Sequence, residues 1–235
     1  MLKIYGYECR RLMGNKFFVG LAAVILFYGA LVLHSVTILG VSHTAPFSPW
    51  SFGDYLSRML PLLWIGMLFF LSFFTGPKAR RAAALTDAAP MLSGHYAFAR
   101  CGATLTSCML LTLLCLGEAV VFYDRMFSWY TWGNLLLPAL ATLLPPLVFA
   151  LGSGWLLGQM RHWLLYMWMA VPFLLAALPL PDALGLWNGS FFTAYPLNLG
   201  TLDPGFSLPG AVVAAQAVLL IVGVGLLVVE SNSRK

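Results

Sequence analysis

The chain has 235 residues, 60% of them hydrophobic and only 9% charged, with a mean hydropathy of +0.86 and a formal net charge of +5. Soluble domains carry about 25% charged residues, so this composition excludes an ordinary soluble fold. The sparse positive charge points away from nucleic acid and toward anionic lipid headgroups or a cytoplasmic protein. Six apolar stretches, at about 17–41, 56–76, 101–122, 134–158, 163–180 and 210–229, each approach the ~20 residues that a helix needs to cross a bilayer core. The expected fold is an all-α membrane protein of six transmembrane helices, forming one transmembrane domain over 1–235.

The cations alternate with these stretches. Lys3, Arg10, Arg11 and Lys16 precede the first, Lys78, Arg80, Arg81 and Arg100 fall between the second and third, Arg161 between the fourth and fifth, and Arg234 and Lys235 after the last. The other connections hold only Arg58 and Arg125, beside Asp54, Asp124, Asp182 and Asp203. The positive-inside rule therefore places both termini in the cytoplasm.

Residues 2–16 read as a short amphipathic helix lying on the inner leaflet. Leu2, Tyr5, Cys9, Leu12 and Met13 gather on one side and Lys3, Glu8, Arg10 and Arg11 on the other, with a turn into the membrane at Gly14-Asn15-Lys16. The first apolar stretch is longer than the 7–15 residues of a signal-peptide core and is read as a span. Asp54 and Arg58, four residues apart, are spaced to pair at the outer mouth, a contact worth about 0.3–0.5 kcal/mol if exposed.

The connection from Pro77 to Arg100 is the longest on the inner side. Its stretch from Lys78 to Ala89 is rich in helix formers, Pro90 must end or kink that helix, and Ser93 is placed to cap the next. A basic, solvent-facing helix there is suited to docking. In the third span, Cys101, Cys108 and Cys115 share one face and suit helix packing better than metal binding, since no zinc-like ligand set accompanies them. Glu118 is an ionisable residue inside a span and so a functional candidate by default, with Arg125 within reach as an ion-pair partner. Gly154-Trp155-Leu156-Leu157-Gly158 allows close helix approach. The segment 181–209 is too apolar for a solvated loop and too proline-broken for a span, which predicts short re-entrant or interfacial helices on the outer side.

The order of amphipathic leader, span, outer loop and span, followed by Arg80-Arg81-x-Ala83-x-Leu85-Thr86-Asp87-Ala88-x-Pro90, then His95-Tyr96 and Arg100, resembles the permease subunit of ABC-2-type transporters. The run from Leu135 to Gly158 is similar to that family's fourth span. The resemblance implies a coupling helix over 78–90, with Arg80, Arg81, Leu85, Thr86, Asp87 and Pro90 as its ATPase-coupling residues. It also implies a separate ATP-binding cassette subunit, a second permease copy or homologous permease, and a bacterial cytoplasmic (inner) membrane location. By the same analogy, Trp64, Met67, Phe70, Trp163, Met167 and Phe173, with Glu118, are candidates for the substrate path.

The chain lacks the G-x-x-x-x-G-K-[ST] phosphate loop, so the expectation is a non-enzymatic exporter subunit without its own cofactor, ATP and Mg being held by the partner. Intramembrane protease chemistry fares poorly: H-E-x-x-H is missing, and Gly152-Ser153 has no later membrane histidine. A secondary transporter and a non-transporting membrane scaffold or immunity protein are the alternative readings. The first of these would call for mid-membrane ion sites and repeat symmetry.

Overall fold

A computed structural model describes residues 2–77, 79, 93–178, 180–201 and 203–233. The described residues form helices and connecting turns, with no strand among them. The helices are α1 (Leu2–Met13), α2 (Lys16–Ser35), α3 (Pro49–Thr75), α4 (Ser93–Phe127), α5 (Gly133–Met160), α6 (His162–Ala177), α7 (Ser190–Asn198) and α8 (Gly210–Ser233).

Among the described residues, five helical segments are long and apolar enough to cross a membrane: Lys16–Leu39, Pro49–Thr75, Tyr96–Phe127, Gly133–Met160 and Gly210–Val228. This is the build of a multi-pass membrane protein. The fifth apolar stretch behaves differently. Its helix, α6, has 16 residues, about 24 Å at 1.5 Å per residue, short of a hydrocarbon core of about 30 Å.

Local chemistry sets the starts of α2 and α3. The Asn15 side chain accepts a hydrogen bond from the Phe17 N–H and caps α2 where the leader turns. Ser48 caps α3 by accepting from the Ser51 N–H, and Pro49 occupies the first turn, where its missing N–H costs nothing. These two residues start α3 at Pro49, well before the expected 56. Likewise α4 begins at Ser93, where a cap was expected, and so extends ahead of the apolar stretch at 101–122. The six coupling candidates Arg80, Arg81, Leu85, Thr86, Asp87 and Pro90 lie outside the described residues.

The centre of the bundle is α3, buried along most of its length and flanked by α2, α4, α5 and α6. Glycines let α5 pack closely. A Cβ at Gly154 would meet Leu68 Cδ2 at 2.3 Å, and one at Gly158 would meet Thr75 Cγ2 at 2.7 Å, so the glycine pair faces α3 within the chain. Where α5 crosses α8, a Cβ at Gly152 would meet the Gly223 carbonyl oxygen at 2.2 Å. Backbones this close require the absence of a side chain. Cys101, Cys108 and Cys115 are all buried, and Cys108 Sγ lies 3.8 Å from the Leu63 carbonyl of α3.

The connection from α6 to α8 folds over the start of α3. It contains a 3-10 turn, Asp182–Leu184, and α7. Trp50 of α3 is fully buried among Phe191, Tyr195 and Phe206, and its indole N–H donates to the Pro204 carbonyl at 2.8 Å. Ser42 Oγ donates to the Thr193 carbonyl, which ties the α2–α3 connection to the same cap. Short helices in this segment match the expectation from its proline spacing.

Candidate functional site

Two polar centres sit at opposite ends of α3. The first joins α1 to α4. Glu8 is 1% exposed although three of its neighbours on α1 are cationic. Its Oε1 accepts a hydrogen bond from Tyr96 Oη at 3.2 Å and lies 3.8 Å from Arg100 Nε, while Oε2 lies 3.4 Å from Arg11 Nη1. The Arg100 guanidinium stacks over Tyr96 at 4.2 Å and over Phe74, at the end of α3, at 5.6 Å. Tyr5 Oη and Thr106 Oγ1 are hydrogen-bonded at 2.5 Å one turn farther along. Arg100 Nε is buried and contacts Glu8 as an ion pair rather than a hydrogen bond, and removing either charge leaves the other desolvated. This centre therefore locks α1, α4 and the end of α3 into one unit. The sequence pattern assigned Glu8 to the solvated face of α1. Its burial depends on Tyr96 and Arg100, which arrive from a helix about ninety residues away and are invisible to a local helical pattern.

The second centre lies near the start of α3. Arg58 Nε donates to Asp54 Oδ2 at 2.8 Å, the pairing expected from the spacing. Asp54 is 2% exposed and Arg58 42% exposed at the side chain, so this is a half-buried pair rather than a surface one. Beside it is a cleft of about 390 Å³. Its walls are Val24 and Tyr28 of α2, Ser57, Arg58, Pro61 and Leu62 of α3, Phe173 and Ala176 of α6, and Trp187 and Asn188 of the covering segment. Pro61 has no N–H, which leaves the Ser57 carbonyl without its helical partner in this wall. Gly189 holds the covering segment down in the left-handed region, at φ +78°, and a Cβ there would lie 2.8 Å from both Asp54 Oδ1 and Ser57 Oγ.

The expected path residues divide between the core around α3 and the exposed side of α6. Trp64, Met67 and Phe70 are 0–1% exposed and belong to the packed core. Trp64 donates its indole N–H to the Trp168 carbonyl at 3.1 Å, and Met67 borders a small apolar cavity of about 150 Å³ between α4 and α5. Trp163, Met167 and Phe173 are exposed on α6, and of these Phe173 borders the cleft. Glu118 turns toward α2 instead of forming an ion pair with Arg125. Its carboxylate sits at the Ala30 backbone, and only a glycine at position 29 leaves it room, since a Cβ there would come within 2.2 Å of Oε2. That Oε2 has no hydrogen-bond partner among the described residues.

No family model, curated protein or solved structure matches this chain. The functional reading accordingly rests on the residues themselves. Glu8 at one centre, and Ser57, Trp187 and Asn188 at the other, were not among the expected site residues. The advance signals were the Asp54/Arg58 spacing, the His95-Tyr96 and Arg100 run, and Phe173 among the path candidates.

Proposed function

We propose that this chain is the membrane-spanning permease subunit of an ATP-driven exporter of the ABC-2 type, working with a separate ATPase subunit and a second permease copy or homologue. The observation that carries the reading is the Glu8 centre. It fastens the amphipathic leader to the helix that emerges directly from the basic 77–92 connection, so a push on that connection is delivered to α4, α1 and the end of α3 together. A passive topology anchor has no need of a buried carboxylate clamped by Arg100 and Tyr96. The basic end faces the cytoplasm of a bacterial inner membrane by the positive-inside rule, and the Asp54/Arg58 end faces out. Nucleotide-driven closure of the ATPases would then tilt the clamped unit and alter the opposite end of the bundle.

The test is affinity purification of the full chain from its native membrane in mild detergent. A chain carrying a G-x-x-x-x-G-K-[ST] phosphate loop is expected to copurify in comparable amount, and to be lost from the Arg80→Glu and Leu85→Asp variants while their melting temperatures stay unchanged. A well-folded chain that purifies with no such partner removes the reading.

A further inference from the structure

We propose that the cleft beside Arg58 is a binding site for an amphiphile with an anionic head. The argument starts from the donors. Asp54 engages Arg58 through Nε, which fixes the guanidinium and leaves its two terminal nitrogens without a hydrogen-bond partner among the described residues, on a half-exposed side chain that lines the cleft. Those nitrogens form the planar fork that matches a carboxylate or phosphate. Trp187 lines the same wall, and its indole N–H lies buried beneath the cleft surface with no acceptor among the described residues. The polar groups of Asn188 are already used: its Nδ2 donates to the Leu178 carbonyl and its Oδ1 accepts from the Ser190 N–H. The unused hydrogen-bonding capacity at the head of the cleft is thus mostly donor, and it calls for an acceptor-rich, negatively charged group.

The remaining walls specify the rest of the ligand. Val24, Leu62 and Phe173 are apolar, and Val24 and Phe173 are about half exposed, so the cleft opens sideways between α2 and α6. In a membrane that opening faces hydrocarbon. A head bound at Arg58 would place its chain along α2 and α6, where a water-soluble anion would gain nothing. Asp54, nearly fully buried beneath the guanidinium, keeps the empty site close to neutral, so Arg58 can be held at this depth without a ligand. The shared chemistry is one anionic head on one or two hydrocarbon chains, whether drawn from the bilayer or entering as a free single-chain acid.

The experiment uses the full-length chain with benzoylphenylalanine at Phe173, reconstituted in equimolar phosphatidylcholine and phosphatidylglycerol, with photo-adducts read by mass spectrometry. Phosphatidylglycerol adducts should exceed phosphatidylcholine adducts by roughly tenfold, the ratio expected of one charge-assisted contact. In a second arm, dodecanoate is added against dodecanol. Displacement by dodecanoate alone assigns the site to free acids, and persistence of the phosphatidylglycerol adduct assigns it to bilayer lipid. Because Arg58→Gln alone strands the buried Asp54, the charge test is the double variant Asp54→Asn/Arg58→Gln, in which the preference should vanish. Ala176→Trp, which fills the cleft and leaves the ion pair alone, should suppress all adducts. Adducts in bilayer proportion, undisturbed by dodecanoate, overturn the proposal. No ATPase is present in this experiment, so its failure leaves the coupling reading intact, and loss of the coupling reading leaves the cleft standing.

Discussion

The two ends of α3 each bury a carboxylate against arginine, yet they are built to opposite plans. At the α1 end the carboxylate, Glu8, comes from one helix and its partners Tyr96 and Arg100 from another, so the charge pair is a joint between elements. Arg100 is only 11% exposed there. At the far end Asp54 and Arg58 belong to the same helix, one turn apart, and Arg58 leans out into an open cleft. A pair within one helix holds nothing together, but it can present a guanidinium in a fixed pose. The contrast separates a structural joint, whose charges are enclosed between helices, from a receptor, whose guanidinium stays open to a ligand.

If that distinction is right, the largest effect should come from breaking the joint. Glu8→Ala leaves Arg100 buried without its counter-charge and should cost about 3–5 kcal/mol, read as a large fall in detergent melting temperature. Pairing Glu8→Leu with Arg100→Met should recover most of it, because replacing both charges with apolar groups removes the desolvation debt. Failure of that rescue would mean the joint is not electrostatic. Arg58→Ala should cost less, roughly 2 kcal/mol, since Arg58 is only half buried and a partly exposed pair is worth less than an enclosed one. Equal losses at Glu8 and Arg58 would erase the distinction between the two ends.

Two smaller effects sharpen it. Gly189→Ala forces a Cβ into a left-handed turn and against Asp54 and Ser57, with an expected loss of about 1–2 kcal/mol. It should also shift cleft occupancy, as measured by the same photo-adducts. Tyr5→Phe removes only the hydrogen bond to Thr106, about 1 kcal/mol, and should leave the cleft untouched while speeding hydrogen exchange in α1.

Much of the architecture was legible in the sequence because it is written locally. The apolar stretches of α2, α5 and α8 appear at nearly their observed limits, since long uninterrupted hydropathy depends on no partner. Asn15 marked the turn from α1 to α2 through an ordinary side-chain cap. The early start of α3 was harder to see. Residues 50–55 carry Ser51, Gly53 and Asp54, and they read as a loop until Trp50 is seen packed under α7. The fifth apolar run, 163–180, extends three residues past the end of α6 at Ala177. The sites were the least legible part. Glu8 lies on the polar side of its own helix, and only the arrival of α4 buries it. Trp64, Met67 and Phe70 look like path residues because large apolar side chains fit a channel or a core equally well. Only the packing around α3 distinguishes the two.

The claim that energy enters at the jointed end is tested most directly by contact. Benzoylphenylalanine placed at Leu85, and in a control at Tyr130 near the opposite end, would be photoactivated in native membranes. The account predicts an adduct from position 85 to a chain bearing the ATPase phosphate loop and none from position 130. An abundant, correctly inserted chain that yields only lipid adducts from position 85 would contradict it.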